Sequence, residues 1–456
     1  MANFATDGKV CIEREIEVLP LEVDDLLTRF DVEQTSKWIS ENNFLKVCLQ
    51  FSDELLSVSA RVYEEIKKRV DVDLYILGDT SYASCCVDTV AAMHVQADAV
   101  VHYGHTCLSK CNKPVFYVLP QKEIEVPSTM NILRDNFQSG VQLCLFYGEE
   151  YEHCKDEIKN HWFKYYPNSY IACVEKEEKE IRFLGRVIQD SNGKCHPVQE
   201  LEHCICLFLG SRGQTLFNYT ISVAAKEWYV LDPDTKNIEH LEETTWFKRR
   251  RFLVEKCKDA NTVGILVCKL AGEQTKDIIS RMKDLCRING KKSYIVSVGK
   301  PNVAKLANFP EIDIYVMIAC PENDLYSNRD FYKPIVYPYE LEVALNSKRD
   351  PYFTTHVTDY DDLLPGKRHF SEIDHVKETT DVSLITGKIR ETKVGSTIGS
   401  SMALEEKQNW ALENIGQNLQ DRSWKGLEQK LGETEVKEVE KGRSGIPLQY
   451  ENEPEK

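Results

Sequence analysis

The chain has no excess of positive charge. Its 57 Lys and Arg stand against 73 Asp and Glu, a formal net charge of −16. Neutralising a phosphate backbone takes clustered cations, so a general nucleic-acid binder is not expected. The one short basic run, Lys248-Arg249-Arg250-Arg251, is flanked by acidic residues and does not change that balance. No apolar run approaches the ~18 residues that a membrane span needs. The first thirty residues hold no basic-then-apolar leader. A cytoplasmic protein is therefore expected, with neither nucleic acid nor a membrane among its partners. A compact C-x-x-C box and the run C-x-x-x-C-x-x-C are also missing. The 16 cysteines are instead spread over the whole chain, where reduced thiols, metal ligation or catalysis fit better than a disulfide scaffold.

What is present is material for several cores. At 456 residues, 42% apolar and 10% aromatic, the chain is expected to hold about three domains of roughly 150 residues each. An acidic N-terminal stretch contains a candidate helix at Val23–Arg29, continuing towards Thr35–Asn42. A strand at Leu45–Phe51 is followed by a helix through Ser52–Arg69, with Leu55, Leu56, Val62 and Ile66 on its apolar side. Next come a strand at Leu74–Leu77 closed by Gly78-Asp79, a short helix from Cys86 to Val95, and a strand at Ala99–His102. This β-α-β-α-β succession predicts a parallel sheet covered by helices. The same order recurs late: strand Thr262–Val267, helix Glu273–Ile288, strand Lys292–Val298, helix Asn302–Asn308, strand Ile312–Ile318. The two blocks read as a structural duplication. Between them Val141–Phe146, Ser169–Ala172 and Cys204–Leu209 are strand candidates for a third α/β unit. The expected division is an N-terminal extension over 1–40, α/β domains over 41–138, 139–256 and 257–370, and a largely disordered or loosely docked tail over 371–456. That tail is rich in Glu, Lys, Thr, Ser and Gly.

Two cysteines stand at equivalent places in the duplicated blocks. Cys107 follows the strand Ala99–His102, and Cys320 follows Ile312–Ile318. A third candidate is the pair Cys85-Cys86, after the strand Leu74–Leu77. Ligands of parallel α/β folds sit at the carboxyl edges of the strands, so thiolates from these places could hold an iron–sulfur cluster by three corners with one iron open. Position in the fold carries this reading, not spacing. Two alternatives stay open on the residues alone. Free cysteine is among the most buried residue types and often only packs, as expected above all for Cys257, Cys268 and Cys286. His102, His105 and Cys107 could also belong to a zinc site, or the two histidines could merely shape a turn about Gly104.

The segment LGDTSYASCCVDTVAAMHVQADAVVHYGHTCLS resembles the signature of the diphthamide synthesis family, a G-D-x-x-Y-G-x-C-C-V-D turn before H-Y-G-H-x-C-L. The later YVMIACPENDLYSNRDFYKPIVYPYELEVAL is similar to the family's Cys-Pro element, followed by its Pro-Tyr-Glu-x-x-x-A helix start. A-C-P-E-N with F-Y-x-P-I is typical of the second of the two related eukaryotic subunits. KRRRFLVEKCKDANTVGIL and the tail's WKGLEQKLGE and EKGRSGIPLQY also look familial. The resemblance spans roughly residues 40–370 and parts of the tail.

The resemblance implies three similar α/β domains with parallel sheets around a central iron–sulfur site, plus a flexible tail. It implies transfer of the 3-amino-3-carboxypropyl group of S-adenosylmethionine to a histidine of translation elongation factor 2, by a radical route that starts from a [4Fe-4S] cluster. A heterodimer is implied, in which a paralogous subunit carries the chemistry. This chain would support it by keeping the partner's cluster reduced, supplied by a small electron-donating metalloprotein. An unaided transferase and a metal-free scaffold are the alternatives. By match to the family motifs Cys107 and Cys320 are expected ligands. Of the Cys85-Cys86 pair the choice falls on Cys86, taken to open the helix, where backbone N–H groups favour a thiolate. The catalytic subunit's middle-domain cysteine, in an L-G-C element, is met here by Leu184-Gly185-Arg186, so arginine stands in its place. Ala83 stands where the family has Gly.

Overall fold

The computed structural model describes residues 23–78, 84–138, 140–177, 181–268, 274–299, 301–322, 331–374, 380–387, 389–391, 445–446 and 449–450. Asp79, Ala83, Asn323 and Asp324, and most of the expected tail, lie outside them. The chain divides into two units, Met1–Thr397 and Ile398–Lys456. The architecture of the first is mixed α/β with several parallel sheets.

Two helices come first, α1 (Val23–Arg29) and α2 (Val32–Glu41), then β1 (Lys46–Phe51), α3 (Ser59–Lys67), β2 (Asp73–Leu77), α4 (Thr89–His94), β3 (Ala99–Tyr103), β4 (Val115–Val118) and α5 (Val126–Asn136). The sheet runs β2-β1-β3-β4, all parallel. β3 is buried at all five residues and β1 at the last five of its six. Covered on both faces, such strands read as continuous apolar runs rather than alternating ones. In α2 the buried residues Val32, Thr35, Ser36 and Ile39 fall on one helical stripe. Val32 and Ile39 pack, with Leu26 and Phe30, against Val47, Leu49 and Tyr103.

The middle sheet is built from β5 (Leu143–Tyr147), α6 (Lys155–Tyr165), β6 (Tyr170–Val174), β7 (Arg186–Gln189), β8 (Cys195–His196), β9 (Ile205–Leu209), α7 (Gln214–Ser222), β10 (Glu227–Asp232) and β11 (Asn237–Leu241). Its order is β11-β10-β9-β5-β6-β7-β8. The central β6, β5, β9 and β10 are parallel, and the flanking β7, β8 and β11 are antiparallel. After α8 (Thr244–Asp259) the third sheet uses β12 (Thr262–Val267), α9 (Thr275–Ile288), β13 (Lys292–Ser297), α10 (Val303–Ala307), β14 (Ile314–Ile318), β15 (Ile335–Val336) and α11 (Pro338–Leu345). It runs β13-β12-β14-β15, all parallel. In each sheet the parallel strands therefore lie in the order second, first, third, fourth.

The helix expected from Cys86 begins later, at Thr89. Asp88 caps it, its Oδ1 accepting the Ala91 N–H at 2.8 Å, and residues 84–86 form a turn and bend before it. Part of the expected loose tail is held in place. β16 (Thr380–Val382) and β17 (Ile389–Glu391) form a hairpin tied to α8 by ion pairs from Arg390 to Asp259 at 2.6 Å and to Glu255 at 3.0 Å. The sparse apolar pattern there reflects anchoring by charge rather than by burial. In the second unit the described residues form only the short ladder β18 (Gly445–Ile446) with β19 (Gln449–Tyr450). Among the described residues no helix is long and apolar enough to cross a membrane.

Candidate metal centre

The carboxyl ends of β2, β3 and β14 bring four sulfur atoms together. The Sγ atoms of Cys85, Cys86, Cys107 and Cys320 all lie within 4.8 Å of one another. The Cys85–Cys320 and Cys86–Cys107 separations are each 3.7 Å. Cys85, Cys86 and Cys320 are buried and Cys107 is partly covered. Cys85 and Cys86 precede α4, Cys107 follows β3, and Cys320 follows β14, so the first and third sheets supply the whole set.

Backbone and amide contacts fix these loops. The Cys107 N–H donates to the Cys85 carbonyl at 3.1 Å. Gln50, fully buried on β1, donates through Nε2 to the Cys86 carbonyl at 2.7 Å and accepts the Asp88 N–H at 2.9 Å. His102 Nε2 meets the Ser84 carbonyl at 3.1 Å. A carbonyl only accepts, so that nitrogen carries the proton. Burial pulls His102 down to about 4, so it is neutral near pH 7. Gly104 turns the chain at φ 104°, and a Cβ there would stand 3.2 Å from Ser52 Oγ.

Four thiols this close cannot all ionise unaided. Cys85 and Cys320 are held well above the ordinary thiol range, first by hydrogen bonding to Cys107, with Cys86 and burial adding to it, while the bond between them pulls Cys320 the other way. A bound cation inverts that balance, because coordinated thiols lose their protons. The donor set is all sulfur, which suits zinc or an iron–sulfur cluster and not a hard cation.

Around the thiols stand three charged side chains. His105 Nδ1 lies 2.5 Å from Glu149 Oε1, and its Nε2 lies 3.8 Å from Glu322 Oε2. The His105 side chain is 44% exposed; its partial desolvation lowers it, but Glu149 and Glu322 outweigh that and raise the imidazole to about 11. Burial raises Glu149, opposed by His105 and Arg186. Thr215 donates its hydroxyl to Glu322 at 3.1 Å. Arg186, buried at the start of β7, donates to the carbonyls of Tyr147 at 2.6 Å and Ala172 at 3.2 Å and to the Tyr219 hydroxyl at 3.0 Å. Its guanidinium lies 5.0 Å from the Tyr147 ring centroid and 5.7 Å from that of Tyr219.

The structure thus gathers Cys86, Cys107 and Cys320 in one place, together with Cys85. The choice between Cys85 and Cys86 came from setting Cys86 at a helix start. Both residues instead lie in a turn, where neighbouring side chains need not point apart. His102 and His105 are engaged elsewhere and do not join the sulfur group. Cys257, Cys268 and Cys286 are buried in the apolar clusters packed about the third sheet. Cys144 and Cys206 are register partners within the middle sheet. Glu149, Thr215 and Gln50 were missed by sequence reasoning. A signal existed for Glu149, since Tyr147-Gly148-Glu149 leaves β5 just as Tyr103-Gly104-His105 leaves β3.

Residues 51–353 match the family model described as putative diphthamide synthesis protein. The 2-(3-amino-3-carboxypropyl)histidine synthase subunit 2 of Danio rerio is 37% identical over 94% of this chain and 92% of its own length. That of Gallus gallus is 36% identical over 99% and 98%, and that of Homo sapiens 29% over 99% and 99%. The crystal structure of Dph2 from Pyrococcus horikoshii covers 75% of this chain and 96% of that one, with a TM-score of 0.56 at 18% identity. A crystal structure of Pyrococcus horikoshii Dph2 with a 4Fe-4S cluster covers 71% and 94%, with a TM-score of 0.56 at 19% identity.

Proposed function

The chain belongs to the diphthamide synthesis protein family, and from that premise we propose that it is the accessory iron–sulfur subunit of a 2-(3-amino-3-carboxypropyl)histidine synthase. The complex would move the 3-amino-3-carboxypropyl group of S-adenosylmethionine to a histidine of elongation factor 2, the first step of diphthamide biosynthesis in the cytoplasm. A paralogous subunit would carry the transfer, and a small metalloprotein would supply electrons. In this reading three α/β domains surround a [4Fe-4S] cluster held by Cys85, Cys86, Cys107 and Cys320.

The observation that carries the accessory role is the fourth thiol. Three thiolates leave one iron open, the arrangement a sulfonium substrate needs to reach metal. With Cys85 beside the other three, the chain offers a thiol for each of four irons, which would suit electron handling and not substrate binding. When bound, such a cluster supplies one-electron chemistry. The chain's own contribution is to bury the sulfur atoms from water, to fix the loops through Gln50 and the Cys107–Cys85 backbone bond, and to fill the middle unit's corner with the engaged Arg186.

One observation favours a second reading. Sulfur separations of 3.7 Å match the edge of a mononuclear zinc tetrahedron, about 3.8 Å for Zn–S bonds of about 2.3 Å. Anaerobic reconstitution of the full chain, with iron, sulfide and zinc counted, separates the two. The accessory reading expects iron and sulfide in equal amounts, visible charge-transfer absorption, and no S-adenosylmethionine cleavage without the partner. Turnover by the isolated chain, or stoichiometric zinc that iron does not displace, overturns it.

A further inference from the structure

The charged groups beside the thiols come from all three sheets, each from beyond the carboxyl end of a strand. His105 leaves β3 of the first sheet, Glu149 leaves β5 of the middle sheet, and Glu322 lies just past β14 of the third. Thr215 stands in the first turn of α7. The two imidazole nitrogens lie on different sides of the ring. One five-membered ring can therefore meet a carboxylate from each of two other units, as the separations of 2.5 Å and 3.8 Å describe.

Both carboxylates are largely out of water, with Glu149 at 9% and Glu322 at 8% side-chain exposure. Buried charge is tolerated only where it is paired. Without His105 the two carboxylates would face each other across the site with less to hold them. The contacts also flank the sulfur ligands closely. Glu149 Oε1 accepts the Thr106 N–H at 3.2 Å, immediately before Cys107, while Glu322 is two residues past Cys320 and is held from the other side by Thr215.

We propose that His105 is a positioning residue: with Glu149 and Glu322 it forms a latch across the three sheets that holds the Cys107 and Cys320 loops together, so that the four thiols are assembled before any metal arrives. The latch rests on the reading of these thiols as metal ligands, but it acts on the metal-free chain as well, which gives it a test of its own.

That test is alkylation of the reduced, metal-free, full-length chain, with the rate read at each cysteine by mass spectrometry. A buried thiol reacts through local opening, so its rate reports how firmly its loop is held. His105→Ala is expected to raise the rates at Cys107 and Cys320 roughly tenfold, as orphaning buried charge should. Cys257 and Cys286, buried in the third unit's core, should keep their rates. Adding Glu149→Gln and Glu322→Gln to His105→Ala should return Cys107 and Cys320 most of the way, since the orphaned charges are gone. Three results would overturn the latch. These are unchanged rates at Cys107 and Cys320, a rise shared equally by Cys257 and Cys286, or no recovery in the triple variant. In the reconstituted chain the same single variant should speed iron loss to a chelator. A wild-type chain that takes up no iron would sink the cluster reading and leave the alkylation result standing.

Discussion

The first and third sheets share one strand order, and each sends a cysteine from the exit of its third strand to the same point. The middle sheet has that order in its four central strands and sends none: β9 leaves through Gly210-Ser211-Arg212-Gly213. Within the middle sheet, one strand in from the edge, Arg186 on β7 donates its guanidinium to two carbonyls and a hydroxyl. A repeated scaffold thus divides its work. The first and third sheets bring sulfur and one charged side chain each to the site, and the middle sheet brings Glu149 and no sulfur. The fourth sulfur, Cys85, comes from a second exit of the first sheet rather than from the middle one.

The sharpest way to break this division is to remove one thiol at a time. Loss of outer partners alone costs 10–100-fold in metal affinity, so Cys107→Ser and Cys320→Ser should each cost more than about a hundredfold. Cys85→Ser should cost less, leaving three thiolates and one open iron. Cys268→Ser, in an apolar cluster beside the third sheet, should leave iron content unchanged. Iron and sulfide per chain after anaerobic reconstitution decide it. Full iron in Cys320→Ser would remove the third sheet from the centre.

The second contrast is how the helices on the first and third sheets are held. Both sheets carry apolar helix faces. Among the described residues, only on the third is a helix, α11, also tied to its neighbours by the buried ion pairs Arg250 with Glu340 and Arg281 with Glu342. Glu340→Gln orphans Arg250 and should cost about 3–5 kcal/mol of stability in denaturant unfolding. Burial alone would raise the Glu340 carboxyl, but Arg250 and His356 hold it down at about 2, below the ordinary value of 4.5. A depressed carboxyl stabilises the fold above its unfolded value and loses that contribution as the pH falls from about 4.5 through about 2. Hydrogen exchange on lowering pH should therefore open α8 and α11 before β1 and β3. Simultaneous opening would erase the contrast.

Much of this was legible in the residues. The strands β1, β3, β12 and β14 announce themselves because central parallel strands are apolar on both faces. Cys107 and Cys320 were found as equivalent strand exits without any compact motif. What hid was long-range or irregular. The strands β4, β10 and β11 are short or partly solvated and carry weak patterns. The sequence favours Cys86 over Cys85 by placing it at a helix start, and the Asp88 cap instead starts that helix after both cysteines. Glu149 lies 44 residues from His105, and no local period links them. Buried Arg250, Arg281, Glu340 and Glu342 read in sequence as solvated charge, and only the packing of three helices makes them core.

Arg186 tests the middle sheet's part more gently. Arg186→Met keeps much of the volume but leaves the carbonyls of Tyr147 and Ala172 and the Tyr219 hydroxyl without their donor, a cost of about 2 kcal/mol. Thermal unfolding should register that loss, while iron per folded chain stays at the wild-type level. A proportional loss of iron would make Arg186 part of the centre rather than of its support.

The smallest expected effect separates backbone strain from pressure on the ligand loop. Gly185 and Gly193 bracket β7 with nearly the same geometry, φ 74° and 76°. At Gly193 an added Cβ meets nothing within 4 Å, so Gly193→Ala should cost only the left-handed backbone term, about 1 kcal/mol. At Gly185 the same Cβ would stand 2.7 Å from Leu108 Cδ1 and 2.9 Å from Leu108 Cβ. Leu108 directly follows Cys107 and cannot retreat without moving it. Gly185→Ala should therefore cost about 1 kcal/mol more than Gly193→Ala, within the usual range for overpacking, and should alone speed iron loss to a chelator. Because the backbone terms match, the difference between the two variants measures how hard the middle sheet's hairpin presses on the first sheet's ligand loop. Equal stabilities and equal iron-loss rates would mean that it does not press at all.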